Sequence, residues 1–263
     1  VIIPCLDNRA MSSINSLHTV PMTANLNANL STNSAFLKLL AFDTSTETMF
    51  IAVTNGVKIW QHTAEGGAKT SAALIPAILV LLREANLTLQ EIDAIVFGQG
   101  PGSFTGLRTA CSVAQGLAFG AGNIPVLPVN TLLAVAEEAR FSSGAENQVT
   151  QIQAVLDARM GEVYAASYVY KNGLWDANSE IKFSKPADLH LENGFRLAGN
   201  CMVVGLDDAN RIQSLPTATA LLRLAPAMLK AGLGVPAEQA LPLYVRDKVA
   251  QTTAERAALK PVH

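Results

Sequence analysis

The sequence predicts an α/β fold made of two related halves, each with a mixed sheet. Short apolar strands alternate with longer segments of helical periodicity, which is the order of elements in α/β proteins. Two further observations carry the prediction: an internal repeat, and a glycine-rich loop between a strand and a helix. Together they indicate two α/β halves that face each other across a cleft.

A repeated order of strand, aspartate, hairpin and Asn-Gly turn organises the chain. In the first copy the strand at 39–42 ends at Asp43, and a second strand at 49–54 leads to the turn Asn55-Gly56. The second copy consists of the strand at 154–156, Asp157, the strand at 163–170 and the turn Asn172-Gly173. Since Asn-Gly is a strong hairpin signal, the recurrence predicts the same strand order in both halves.

Helical and strand periodicity also place the elements between the two copies. Helices are expected at 70–86 and 107–119, and strands at 92–97 and 126–129. The second half is less regular, and its start is placed near residue 146.

The loop GPGSFTGLR, Gly100 to Arg108, joins the strand at 92–97 to the following helix. Glycine permits positive φ or close backbone approach, and a helix start has free N–H donors. The loop is therefore expected to contact an anion or a neighbouring backbone. No Lys follows its last glycine, and its glycines do not fit G-x-G-x-x-G in register, so a Walker NTPase and a Rossmann dehydrogenase are poor candidates.

Composition excludes several classes of protein. The chain has 263 residues, of which 49% are hydrophobic, enough for one large or two modest domains. Its net charge of −2 gives no general basic field for nucleic acid, so any contact with RNA is expected only through a partner. Three widely spaced cysteines fit neither a disulfide framework nor a zinc site, which favours a cytoplasmic location. The longest apolar run, 74–82, is too short for a membrane span.

Residues 1–35 differ from the rest of the chain. They are rich in Asn, Ser and Thr, and Asp7 and Arg9 are their only charged residues. The segment lacks the pattern of a signal peptide and is predicted to be a disordered leader, with Met11 or Met22 as candidate starts.

Four motifs resemble the TsaB (YeaZ) family: AFDTST, GQGPGSFTGLR, DARMGEVY and PLYVRDKVA. The resemblance covers about residues 36–250 and implies an actin-like ATPase (ASKHA) fold with two ribonuclease-H-like halves. These would be 36–145, with the loop and the partner helices, and 146–263, whose last segment is expected to pack back on the first half. The family motif residues are Gly100, Pro101, Gly102, Ser103, Phe104, Thr105, Gly106, Arg108, Arg159, Tyr244 and Arg246.

The same resemblance implies a function in tRNA modification. Members of the family act in forming N6-threonylcarbamoyladenosine at position 37 of tRNAs that read codons beginning with A, together with TsaD and TsaE. TsaC or its relative supplies threonylcarbamoyl-adenylate. The family implies a noncatalytic subunit that is related to the catalytic subunit TsaD and forms a homodimer when alone.

The chain departs from TsaD where TsaD would bind metal. The catalytic paralogue carries an HxxxH pair on its first long helix, and the corresponding positions here are Thr70 and Leu74. We therefore expect no metal site and no catalytic residue in this chain. The alternative is a stand-alone enzyme of this fold, either an ATP-dependent transferase or an M22-type glycoprotease-like metallopeptidase.

Candidate nucleotide-binding residues follow the first strand of each half: Asp43, Thr44, Ser45 and Asp157. A second interpretation, which we favour, is that Asp43 and Ser45 form a local Asx or Ser turn. Arg159 is expected to pair with Asp157 or with a carboxylate of the facing half, and Gly199-Asn200 resembles a degenerate adenosine-side turn. No cofactor is required by this reading, and any ATP or ADP would bind at the interface of the complex.

The two first-half helices are expected to bind a partner. Apolar residues surround most of the helix at 70–86, and small residues line the helix at 107–119, although burial by their own sheet is the alternative explanation. The family resemblance implies that such helices from TsaB and TsaD pair in a bundle. The predicted interface residues are Leu74, Ile75, Ile78, Leu82, Ala110, Ala114 and Ala118.

Overall fold

The structure is a computed structural model that describes residues 36–145, 149–201 and 211–245. The predicted leader at 1–35 and the motif residue Arg246 lie outside the described residues.

The first sheet contains five strands in the order β3-β2-β1-β4-β5. β1 runs antiparallel to β2 and parallel to β4, and β5 continues the parallel side. The edge hairpin therefore lies on one side of β1 and the crossover strands lie on the other. The strands are β1 Leu39–Asp43, β2 Thr48–Thr54, β3 Ile59–Glu65, β4 Ala94–Gly100 and β5 Val126–Asn130.

The second sheet repeats this order. β6 is antiparallel to β7 and parallel to β10, β8 pairs with β7, and β11 lies beyond β10. β9 extends the same edge of β7 as β8. The shared order confirms the predicted two-half actin-like fold. The strands are β6 Thr150–Arg159, β7 Glu162–Lys171, β8 Leu174–Ala177, β9 Lys182–Ser184, β10 Arg196–Gly199 and β11 Arg211–Gln213.

Four α-helices cover the sheets in the described residues: α1 Thr70–Glu84, α2 Phe104–Gly120, α3 Thr131–Ser142 and α4 Ala218–Lys230. α2 begins three residues earlier than the sequence predicts, so the end of the glycine-rich motif forms its first turn. Within the described part of the chain, none of these helices has the length and apolarity to cross a membrane.

Both faces of the first sheet are buried. Leu40 and Phe42 of β1 face a core shared with α1 and α2, whereas Leu39 and Ala41 face a core shared with α4. Because side chains alternate along a strand, this wholly apolar strand must be covered on both sides. α4 belongs to the second half in sequence but packs on the first sheet.

The segment that follows α4 also returns to the first half. Val235 exchanges two backbone hydrogen bonds with Val126 of β5, and the Leu243 N–H donates to the Gln99 carbonyl at 2.7 Å. The Ala240 carbonyl accepts from the side chain of Gln115 at 2.9 Å. These contacts bring residues 241–245 to the glycine-rich loop.

Helices α3 and α4 are joined by a buried ionic cluster. Glu137 accepts hydrogen bonds from Arg140 on its own helix, from Arg223 on α4 and from the Trp175 indole of β8. Since α3 packs on the second sheet and α4 on the first, this carboxylate connects the two halves.

Candidate functional site

A tight turn follows β1 at the position predicted to bind nucleotide. The backbone N–H and the hydroxyl of Ser45 both donate to Oδ1 of Asp43, at 2.9 and 2.6 Å. Asp43, Thr44 and Ser45 are all buried. The local turn, which is the interpretation that we favour from the sequence, is present in the structure.

The glycine-rich loop packs directly onto this turn. The Ser103 N–H donates to the Ser45 carbonyl at 2.7 Å, and the Thr44 hydroxyl donates to the Gly106 carbonyl at 2.8 Å. A Cβ placed on Gly106 would lie 1.9 Å from the Thr44 carbonyl oxygen. The glycine is therefore required for close approach of two backbones.

The second carboxylate oxygen of Asp43 is enclosed. Its Oδ2 is buried without a hydrogen-bond partner in the described residues, and it lies 1.7 Å from where a Cβ of Gly98 would be. Burial raises the pKa of the Asp43 carboxyl to about 7, although the two Ser45 hydrogen bonds oppose the shift. The oxygen that Ser45 does not bind is therefore shielded from solvent.

The turn at 43–45 and the glycine-rich loop thus cover each other's surfaces. The loop was expected to contact an anion or a neighbouring backbone, and in the structure it contacts the backbone of Thr44 and Ser45. No group of three or more His, Cys, Asp or Glu side chains that could hold a metal occurs among the described residues.

The equivalent position in the second half is more open. The Asp157 N–H donates to Oδ1 of Asn200 at 3.0 Å, and a Cβ on Gly199 would lie 1.7 Å from the Val155 carbonyl oxygen. Gly199-Asn200 therefore lies where β10 approaches the backbone of β6 closely.

Arg159 connects the two hairpins across the halves. Its guanidinium lies 3.6 Å from Asp157 and makes a closer hydrogen-bonded ion pair with Glu47 in the β1–β2 turn. Both pairings that the sequence allowed are present, although the local one was favoured. Arg159 and Glu47 are exposed, so the pair adds little stability.

A cluster of two aromatic rings and one cation lies at the start of α2. The Arg108 guanidinium is 3.9 Å from the ring centre of Phe104, and its Nε donates to the Tyr244 hydroxyl at 3.1 Å. Phe104 and Tyr244 also line a small pocket with Tyr164 of β7. Its volume of about 20 Å³ is enough for water.

The predicted partner-interface residues on α1 and α2 are mostly interior. The sequence prediction is wrong for six of them, because these side chains pack into the core beneath the two helices and present no surface to a partner. They are Leu74, Ile78, Leu82, Ala110, Ala114 and Ala118. The seventh predicted residue, Ile75, is 42% exposed.

A different set of apolar residues on these helices faces solvent. α1 exposes Leu79 and Val80 beside Ile75, and Phe119 near the end of α2 is 73% exposed. α2 also exposes Ser112 and Gly116, whose missing side chain leaves open space. We call Ile75, Leu79, Val80, Ser112, Gly116 and Phe119 the outer helix face.

The sequence of α1 contains a periodic signal for this face. Ala72, Ile75, Pro76, Leu79 and Arg83 recur at intervals of three and four, which places them on one side of α1. Because the opposite side of α1 is equally apolar, composition alone could not say which side the sheet covers. Gly98, which makes room for Asp43, had no sequence signal of its own.

Comparison with known proteins gives consistent matches. A family model described as TsaD, tRNA N6-adenosine threonylcarbamoyltransferase, matches residues 61–199. The tRNA threonylcarbamoyladenosine biosynthesis protein TsaB of Escherichia coli (strain K12) is 34% identical over 231 residues, which are 81% of this chain and 96% of that protein. The protein of the same name from Haemophilus influenzae is 44% identical over 135 residues, 51% of this chain and 54% of that protein.

A solved structure agrees with the sequence comparisons. YeaZ from Pseudomonas aeruginosa superposes with a TM-score of 0.69 at 34% identity, and the match covers 80% of this chain and 100% of that chain. Identity at this level over nearly the whole length of a relative establishes the family that the motifs had suggested: the chain belongs to the TsaB (YeaZ) family of tRNA threonylcarbamoyladenosine biosynthesis proteins.

Proposed function

We propose that this chain is a noncatalytic, cytoplasmic subunit needed to form N6-threonylcarbamoyladenosine at position 37 of tRNAs that read codons beginning with A. It acts with TsaD, which carries out the transfer, and with TsaE. The names of its relatives support the pathway.

The enclosed turn at Asp43 carries the noncatalytic part of the proposal. In ATPases of this fold, Asp and hydroxyl residues that follow the first strand of each half flank the metal-bound phosphate. Here Thr44 and Ser45 bind the loop itself, and the free oxygen of Asp43 is buried against Gly98. These contacts enclose the turn and support a structural role for it.

The outer helix face supports association with TsaD. Exposed Ile75, Leu79 and Phe119 would lose water contact on binding, and Gly116 allows a partner helix to approach closely. The TsaD family model includes both helices, since it matches residues 61–199. Two subunits with similar first halves can pair through the same helices, and a second copy of this chain would take that place when TsaD is absent.

tRNA would reach this subunit through the complex. The net charge of −2 supplies no extended basic surface for phosphate contacts.

Reconstitution tests the proposed function. Purified TsaD, TsaE, this chain, tRNA, ATP and threonylcarbamoyl-adenylate should yield modified tRNA, measured by nucleoside mass spectrometry. Omitting this chain should reduce the yield strongly, and omitting TsaD should abolish it. Modification by this chain without TsaD would contradict the noncatalytic assignment.

A further inference from the structure

Arg108 is an exposed arginine whose side chain is held in one orientation. Its guanidinium stacks 3.9 Å from the centre of the Phe104 ring, one helical turn earlier on α2. Its Nε donates to the Tyr244 hydroxyl at 3.1 Å, and Tyr244 packs on Phe104 with ring centres 5.2 Å apart. Residues from two distant parts of the chain thus fix one guanidinium.

The terminal nitrogens of this guanidinium have no partner of their own in the described chain. Among residues 36–145, 149–201 and 211–245, Arg108 makes no salt bridge, and its one hydrogen bond uses Nε. Stacking and the tyrosine bond reduce the entropy that binding would cost an arginine. The two terminal nitrogens of Arg108 therefore form a planar pair of N–H donors that suits a carboxylate.

The position of Arg108 continues the outer helix face. Residues 108, 112, 116 and 119 of α2 follow one another at intervals of three or four, and all are exposed. A partner that covers Gly116 and Phe119 would therefore also reach Arg108.

We propose that Arg108 anchors the partner subunit by binding a carboxylate, from an Asp or Glu side chain, at the end of the outer helix face. Phe104 and Tyr244 act as positioning residues for its guanidinium. The location of the anchor rests on the proposed function, but its chemistry follows from the clamp around Arg108. Arginine held against aromatic rings is the type of residue that dominates protein interfaces.

A protein carboxylate fits the surroundings better than a tRNA phosphate. The neighbouring surface of α2 consists of Ser112, Gly116 and Phe119, which suit a packed helix. Phosphate recognition depends on several cations acting together, whereas this chain has a net charge of −2.

Titration calorimetry of the full chain with TsaD, without tRNA, tests the proposal. Arg108→Ala should weaken binding about tenfold or more, and Arg108→Lys should recover little of the loss, because an ammonium cannot form the paired contact. Tyr244→Phe keeps the ring but removes the hydroxyl, and should weaken binding by a few fold. The salt dependence of binding should be smaller for Arg108→Ala than for the unaltered chain.

Two further variants distinguish an error in the Arg108 anchor from an error in the proposed partner surface. Leu79→Arg places a charge in the centre of the outer helix face, and Leu174→Arg makes the same change at an exposed leucine on β8. If Leu79→Arg abolishes binding but Arg108→Ala binds normally, the anchor is wrong and the proposed face survives. If both bind normally, the proposed face itself is wrong. A defect of Arg108→Ala that arises only after tRNA is added would overturn the carboxylate assignment in favour of a phosphate.

Discussion

At the scale of single residues, Asp43 shows how packing determines what a carboxyl group can contact. The carboxyl lies at the end of β1, where Ser45 binds one oxygen and the bare backbone of Gly98 encloses the other. The sequence identified the residue and offered two roles for it. Which role Asp43 can take depends on Gly98 of β4, and the tertiary packing that places Gly98 beside it is not visible in the local sequence.

The raised pKa of Asp43 predicts a pH dependence of stability. The folded carboxyl titrates at about 7, whereas its ordinary value is 3.8. Above pH 4 the unfolded chain is ionised while the folded chain still holds the proton, so stability should fall as pH rises from about 4 to 7 and then level off. The loss should be of the order of a few kcal/mol, since each pKa unit corresponds to about 1.4 kcal/mol.

Urea unfolding of the full chain between pH 5 and 8 measures this effect. Asp43→Asn cannot ionise and should lose this part of the slope, and it should gain stability relative to the unaltered chain as the pH increases. Parallel pH profiles for the two proteins would show that Asp43 is not the titrating group.

Glycine substitutions test the contact between the loop and the turn. Gly106→Ala places a methyl group 1.9 Å from the Thr44 carbonyl oxygen, a backbone atom that cannot move without shifting β1. We expect a loss of several kcal/mol. The matched control is Gly116→Ala on the same helix, where nothing lies within 4 Å and alanine should stabilise by up to about 1 kcal/mol. Equal unfolding midpoints for the two variants would contradict this packing.

At the scale of elements, α3 and α4 hold the two halves together through Glu137. Its carboxylate is 2% exposed and accepts from Arg140, Arg223 and Trp175. This cluster could not be predicted from local sequence patterns, because its members come from three separate elements. Their meeting depends on how α4 returns to the first sheet.

Removing the Glu137 carboxylate should be costly. Glu137→Ala removes a buried carboxylate that accepts from Arg140, Arg223 and Trp175, so we expect a loss of about 3–5 kcal/mol in unfolding free energy. Glu138→Ala removes a neighbouring carboxylate that is 23% exposed, and should cost about 1 kcal/mol. Chemical denaturation of both variants measures the difference. Similar losses would show that burial of Glu137 does not determine its contribution.

In helices α1 and α2, hydrophobic periodicity does not indicate which side of the helix is buried. Ile78 and Leu79 are equally apolar neighbours, yet Ile78 is wholly buried and Leu79 is 49% exposed. A helix that is apolar on both sides does not reveal which side its own sheet covers. The existence of both helices could be predicted, whereas the partner-facing residues required the position of the sheet.

At the scale of the whole molecule, the internal repeat was the most reliable guide to the fold. The two Asp-hairpin units predicted equivalent strand orders, and the sheets have them. Residues 235–245 return to β5 and to the glycine-rich loop, a path for which the local sequence has no signal. Long-range pairing of this kind leaves no local periodicity in a sequence.

For the whole molecule, we expect the outer helix face to be essential for tRNA modification and the Asp43 carboxylate to be dispensable. The rate of N6-threonylcarbamoyladenosine formation should be measured in the reconstituted system with Asp43→Asn, Leu79→Arg and the control Leu174→Arg, after circular dichroism confirms that each variant is folded. We predict near-normal rates for Asp43→Asn and Leu174→Arg and a loss of at least about tenfold for Leu79→Arg, since burying an unpaired charge costs several kcal/mol. Loss of activity in folded Asp43→Asn, with full activity in Leu79→Arg, would contradict the account.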